Sequence, residues 1–187
     1  MSTNSKEAIL AAARRAAMAH GYSGLNFRDL ADEVGIKAPS LYHHFPTKAD
    51  LGAAVAKRYW QDIAADLEAM SAESPDAVSC LRRYPDIFRR SLESDNRMCL
   101  CSFMSAEYDD LPEAVKTEVQ AFADVNVAWL SKTLSGAALV GAGDSEPRAR
   151  AIFAAIAGAQ LLARSRSDIS LFDALIDSYR TAGLLPA

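Results

Sequence analysis

Apolar residues recur along most of the chain at intervals of three and four, the spacing that gathers them on one side of an α-helix. Ile9, Ala12, Ala13 and Ala16 share one face, Leu30, Ala31 and Val34 another, and Phe172, Leu175, Ile176 and Tyr179 stand at i, i+3, i+4 and i+7. No strand-like alternation competes. The pattern predicts an all-α chain with helices over 5–20, 27–34, 39–45, 48–70, 75–94, 98–107, 112–134, 145–164 and 168–182. Turn chemistry separates them: Gly21, Gly35, the Ser71-Ala72-Glu73-Ser74-Pro75 stretch, and the small-residue run from Gly136 to Gly143.

The segment Asn26 to Leu51 carries the most specific pattern. Asn26 is a good N-cap for a helix from Phe27 to Val34, and Asp29 favours its positive end. Gly35 can take the left-handed conformation that ends the helix, and Ile36 is the residue expected to be buried after the turn. A second helix opens at Pro39 and runs through Phe45 to Pro46, with Leu41 and Phe45 four apart on one face. Helices below about 12 residues are marginal alone, so neighbours must hold this one through that face. Its other side carries Lys37, Ser40, Tyr42 and His43, donors and acceptors suited to phosphates and base edges. Two short helices about a tight turn form a geometry that reads DNA.

Phe27-Arg28-Asp29-Leu30-Ala31, Val34-Gly35-Ile36, Leu41-Tyr42-His43-His44-Phe45 and Lys48-Ala49-Asp50-Leu51, in this order, resemble the TetR family of transcriptional regulators. The resemblance covers about the first third of the chain. It implies an N-terminal three-helix DNA-binding domain with a helix-turn-helix, 1–47, and a C-terminal helical effector-binding and dimerisation domain, 48–187. It further implies a homodimeric repressor whose recognition helix enters the major groove of double-stranded operator DNA, and which a small-molecule effector releases. In the head, Arg28, Lys37 and Ser40 are placed to reach base edges, Tyr42, His44 and Lys48 resemble the family's phosphate contacts, and His43 shares their face. The resemblance also places the last two helices in a four-helix dimer interface, for which Ile156, Leu161, Phe172, Leu175, Ile176 and Tyr179 are the candidates.

Net charge first argues against this reading, then supports it. The chain carries −4 overall, but residues 1–60 hold eight Lys or Arg against five Asp or Glu, a balance of +3, while the remainder carries −7. Phosphate contact depends on local field, not on total charge. The composition, 187 residues of which 50% are hydrophobic, supports a well-buried core. No apolar run reaches the ~18 uncharged residues of a membrane span, and MSTNSKEAIL lacks a signal-peptide core. A soluble, cytoplasmic protein without a membrane partner is expected, and its three cysteines are expected to be reduced thiols.

Other chemistry is sparse. No nucleophile elbow, phosphate loop or dinucleotide fingerprint is present, so neither an enzyme nor a cofactor is expected. His43 and His44 diverge by about 100° on a helix and Cys99 and Cys101 by about 200°, which disfavours a metal site or an intrahelical disulfide. Tyr59, Trp60, Phe88, Cys99, Phe103, Tyr108, Phe122 and Trp129 are candidates for lining an effector cavity. Cys99-Leu100 followed by Ser105-Ala106-Glu107 resembles a subset of TetR repressors that sense electrophiles or oxidants through a cysteine. A helix starting at Met98 would put Cys99 in its first turn, where the dipole and the neighbouring Arg97 lower a thiol's pKa. Two other readings are a cysteine-based redox protein using Cys99 or Cys101, and a DNA-organising protein that answers to no effector.

Overall fold

A computed structural model describes residues 3–74, 76–141 and 143–187. Its helices are α1 (Thr3–His20), α2 (Phe27–Val34), α3 (Ala38–His44), α4 (Lys48–Glu73), α5 (Ala77–Arg83), α6 (Asp86–Glu93), α7 (Leu100–Ala106), α8 (Glu113–Gly136), α9 (Ser145–Arg166) and α10 (Ile169–Thr181), with a 3-10 turn at Tyr108–Asp110. No strand occurs among the described residues, so the all-α expectation holds. Among the described residues, no helix is long and apolar enough to cross a membrane.

The expected helix bounds differ where proline intervenes. Phe45 leaves the helix with φ −134° and ψ 98°, because Pro46 disfavours helical backbone in the residue before it. The single helix expected over 75–94 is two, α5 and α6, while Pro75 lies outside the described residues. Pro85 divides them: it offers no N–H to the carbonyl four residues back, and Ile87 and Phe88 instead bond to Tyr84 and Pro85 at 3.2 and 3.0 Å. The helix expected from Met98 begins only at Leu100.

The chain packs as two compact units, with boundaries within α4, between α6 and α7, and within α8. One comprises Met1–Gln61 and Cys99–Phe122, the other Asp62–Met98 and Ala123–Ala187. In the first, α1 packs on α2 and α7, and α2 on α3, over Ile9, Ala13, Leu30, Leu41 and Leu51. Burying an aliphatic or aromatic side chain of this size contributes roughly 1.5–3 kcal/mol, so Leu41 and Phe45 supply what α3 lacks in length. In the second, α9 packs on α10 and α6 over Tyr84, Phe88, Leu130, Ile152 and Phe172. Arg89 of α6 holds Asp173 of α10 through Nε to Oδ1 at 2.8 Å and Nη2 to Oδ2 at 3.0 Å, a bidentate pair.

Candidate nucleic-acid interface

The helix-turn-helix is built by local capping. Asn26 Oδ1 accepts from Arg28 N–H at 2.9 Å and Asp29 N–H at 3.4 Å, satisfying amides that the first turn of α2 leaves over. At the other end Gly35 takes φ +72°, its N–H bonds Asp32 O at 3.2 Å, and Ile36 N–H bonds Ala31 O at 2.9 Å. This closes the helix and reverses the chain. Ile36 is half-buried, less covered than the sequence suggests. Leu41 and Phe45 face inward, at 0% and 3% exposure.

The outward side of α3 presents the expected groups. Lys37 and His43 are exposed, Ser40 and His44 half-buried, and Tyr42 is 54% exposed although its ring lies 4.8 Å from that of Phe27. The ring seated on Phe27 of α2 leaves much of the side chain accessible. Arg28, Tyr42 and Lys48 converge on a recess of about 410 Å³ that Ser23, Leu25, Asn26 and Phe27 complete. Lys48 is half-buried: Nζ donates to Ser23 O at 3.1 Å and stands 4.7 Å from the centre of the Tyr22 ring. Burial raises the Tyr22 pKa. Tyr22 and Ser23 are members of this site that the sequence does not single out. The Gly21-Tyr22-Ser23-Gly24 spacing signals the turn, but nothing local signals what holds it.

The eight candidate effector residues fall in both units. Tyr59, Trp60, Cys99, Phe103, Tyr108 and Phe122 belong to the first unit, Phe88 and Trp129 to the second. Most are committed to packing. The Tyr59 ring lies 5.7 Å from Phe122 and under the Arg14 guanidinium at 4.9 Å, and Trp60 Nε1 donates to Glu118 at 2.7 Å. Phe103 is half-buried, and Tyr108 hydroxyl accepts from Gln120 Nε2 at 3.1 Å. Phe88 meets Tyr84 edge-on, and Trp129 Nε1 donates to Leu67 O and Ser71 Oγ at 3.1 and 3.0 Å. Within the second unit, Phe153, Arg150 and Glu146 of α9 face Asp124, Val127, Ser131 and Lys132 of α8 across a recess of about 630 Å³.

Cys99 departs from its expectation. It is the N-cap of α7 and not a member of its first turn, and it is 1% exposed. Burial raises its pKa, outweighing the hydrogen bonds from Tyr59 and Ser102 that act to lower it. Cys101 is raised further, also by burial. All three cysteines are thiols, and no group of metal-ligating residues occurs among the described ones.

The α9 and α10 candidates divide by exposure. Ile156, Phe172 and Ile176 are at most 3% exposed in the single chain, so they pack their own unit and cannot form a free face. Leu175 and Tyr179 are half-buried, Tyr179 hydroxyl donating to Ala155 O at 3.2 Å. Leu161 and its neighbour Leu162 are 55% and 44% exposed.

Residues 9–55 match the family described as bacterial regulatory proteins, tetR family. Over 55 residues the chain is 40% identical to the HTH-type transcriptional repressor AcnR of Corynebacterium glutamicum, a stretch covering 29% of each. The match thus spans under a third of that curated relative's length. Likeness over the whole chain comes from solved structures. A TetR-family transcriptional regulator from Agrobacterium tumefaciens has 28% identity and a TM-score of 0.87, with 94% of this chain and 95% of that one covered. A TetR transcriptional regulator from Legionella pneumophila has 28% identity and a TM-score of 0.89, with 97% of each covered.

Proposed function

Because this chain belongs to the TetR family by its DNA-binding head and by its fold, we propose that it is a sequence-specific transcriptional regulator, a homodimeric repressor that a small-molecule effector releases from operator DNA. The observation that carries this reading is the outward side of α3, with Lys37, Tyr42 and His43 exposed on a two-turn helix whose inner side is buried. Exposed donors on a rigidly seated short helix can enter a major groove without first ordering. In the head, Arg28, Lys37 and Ser40 read base edges and Tyr42, His44 and Lys48 hold phosphates.

A thiol at 1% exposure with a raised pKa offers little thiolate to an electrophile, which argues against Cys99 as a sensor. A ligand releases DNA only by its differential affinity for the bound and released states. Leu161 and Leu162, exposed on α9, support a second copy of the chain against α9 and α10.

Enrichment of duplexes from a random pool by the intact protein, followed by footprinting, tests this reading. A near-palindrome bound at least about a thousandfold more tightly than an unselected duplex supports it. Weak, sequence-tolerant binding untouched by metabolites identifies a DNA-organising protein, and catalytic turnover of an electrophile a redox protein.

A further inference from the structure

The turn between α1 and α2 is gripped by a residue far along the chain. Glu107, at the C-terminal end of α7, accepts from Tyr22 N–H on Oε2 at 2.6 Å and from Ser23 N–H on Oε1 at 3.2 Å. The neighbouring amides are satisfied locally, Gly21, Gly24 and Leu25 bonding to the carbonyls of Ala17, His20 and Tyr22. The Tyr22 and Ser23 amides go to the carboxylate. Glycine makes the approach possible: Gly21 has φ +69°, and a Cβ there would stand 2.6 Å from Glu107 Cδ. Lys48, at the start of α4, takes the carbonyl of Ser23 and lies over the Tyr22 ring. That ring in turn rests on Gly52, where a Cβ would fall 2.7 Å from Tyr22 Cε2. Ser23 therefore has a carboxylate on its N–H and an ammonium on its carbonyl.

Building on the DNA-binding reading above, we propose that Glu107 is the positioning residue of the interface: through Ser23 it sets where Lys48 and the Asn26-capped start of α2 stand, so that a displacement of α7 is delivered to the side chains that meet DNA. A neutral cap would serve to close a turn. The carboxylate instead makes two charge-assisted bonds beside a cation, one of them short at 2.6 Å, and two directional bonds to one planar group hold the turn's geometry more stiffly than one would. Arg28 and Tyr42 share the recess with Lys48 and Ser23, so a shift of the turn reaches all of them at once.

The test compares Glu107→Ala, Glu107→Gln, Lys48→Ala and the Glu107→Ala/Lys48→Ala double variant in the full chain. Hydrogen exchange is followed by mass spectrometry across residues 21–29, and affinity is measured for a duplex enriched by the parent protein and for an unselected duplex of equal length. Glu107→Ala should speed exchange at Tyr22 and Ser23 and weaken binding by about tenfold, the order set by one charge-assisted hydrogen bond. Glu107→Gln, which keeps one acceptor oxygen, should recover part of that loss. On the Lys48→Ala background the further loss should shrink below about threefold, since both residues act through Ser23. Unchanged exchange, losses that multiply independently, or a lower Tm with full affinity in the folded protein would each overturn the proposal. A parent protein that binds neither duplex overturns the DNA-binding reading itself and the positioning role with it, whereas a parent that binds while Glu107→Ala is indifferent overturns the positioning role alone.

Discussion

The Tyr84 hydroxyl donates to Asn126 Oδ1 at 2.8 Å, and both residues are wholly buried in the second unit. The Tyr84 ring stacks on Trp129 with centroids 5.6 Å apart and planes 18° from parallel. Tyr84→Phe keeps the ring and removes the hydroxyl, so it reads the hydroxyl's contribution. Stability should fall by about 1–2 kcal/mol, a Tm decrease of roughly 2–8 °C by calorimetry. A fall above about 3 kcal/mol would mean that the ring had moved as well.

Lys37 and Lys48 should fail in different ways. Lys48→Ala should weaken binding to every duplex and reduce the salt slope by about one, whereas Lys37→Ala should cost roughly 1–3 kcal/mol and relax preference at one base pair. Anisotropy titrations at several salt concentrations on matched and mismatched duplexes separate the two. Identical specificity changes would refute the assignment.

Leu161 and Leu162 offer a cleaner test of self-association than buried residues do. Leu161→Glu with Leu162→Glu adds charge to an already exposed face, so the helical content should be kept while sedimentation velocity shows a monomer. A dimer that persists in this variant would move the interface elsewhere.

Gly21 and Gly35 share nearly the same backbone, φ +69° and +72°, but not the same surroundings. Gly35 has open space where a Cβ would go, so Gly35→Ala should cost only the left-handed penalty of about 1–2 kcal/mol. Gly21→Ala also drives out the Glu107 carboxylate and should cost more. The difference should close on a Glu107→Ala background, as read from urea midpoints.

Alkaline pH should destabilise the protein. Burial raises the thiols of Cys99 and Cys101 above the usual 9.0, and the Tyr59 phenol above 10.0. In the unfolded chain these groups ionise first, so the folded state retains more protons. Their contribution is complete below about pH 9 and is lost as pH rises further. Urea midpoints between about pH 8 and about pH 11 should therefore fall, less steeply for Cys101→Ala. For the same reason maleimide should label Cys99 far more slowly in native protein than in denaturant.

The sequence by itself determined the elements whose causes are local. Asn26 and Gly35 bound α2 because capping joins a side chain or amide to groups two to five residues away, within reach of any reading of the chain. The inward placement of Leu41 and Phe45, and with it the outward side carrying Lys37, Tyr42 and His43, follows from helical spacing in the same way. Spacing says which residues share a face but not what covers it. Phe172 and Ile176 stand four apart on one face of α10 and Ile156 lies on α9, and only the packing of α6, α9 and α10 showed that this chain covers them itself. Cys99 sits near a helix start as the sequence suggests, yet its burial, a property of its neighbours in space, sets the sign of its pKa shift. The grip of Glu107 on Tyr22 spans 85 residues. No pattern along the chain encodes that contact, because it exists only once α1 and α7 are packed together.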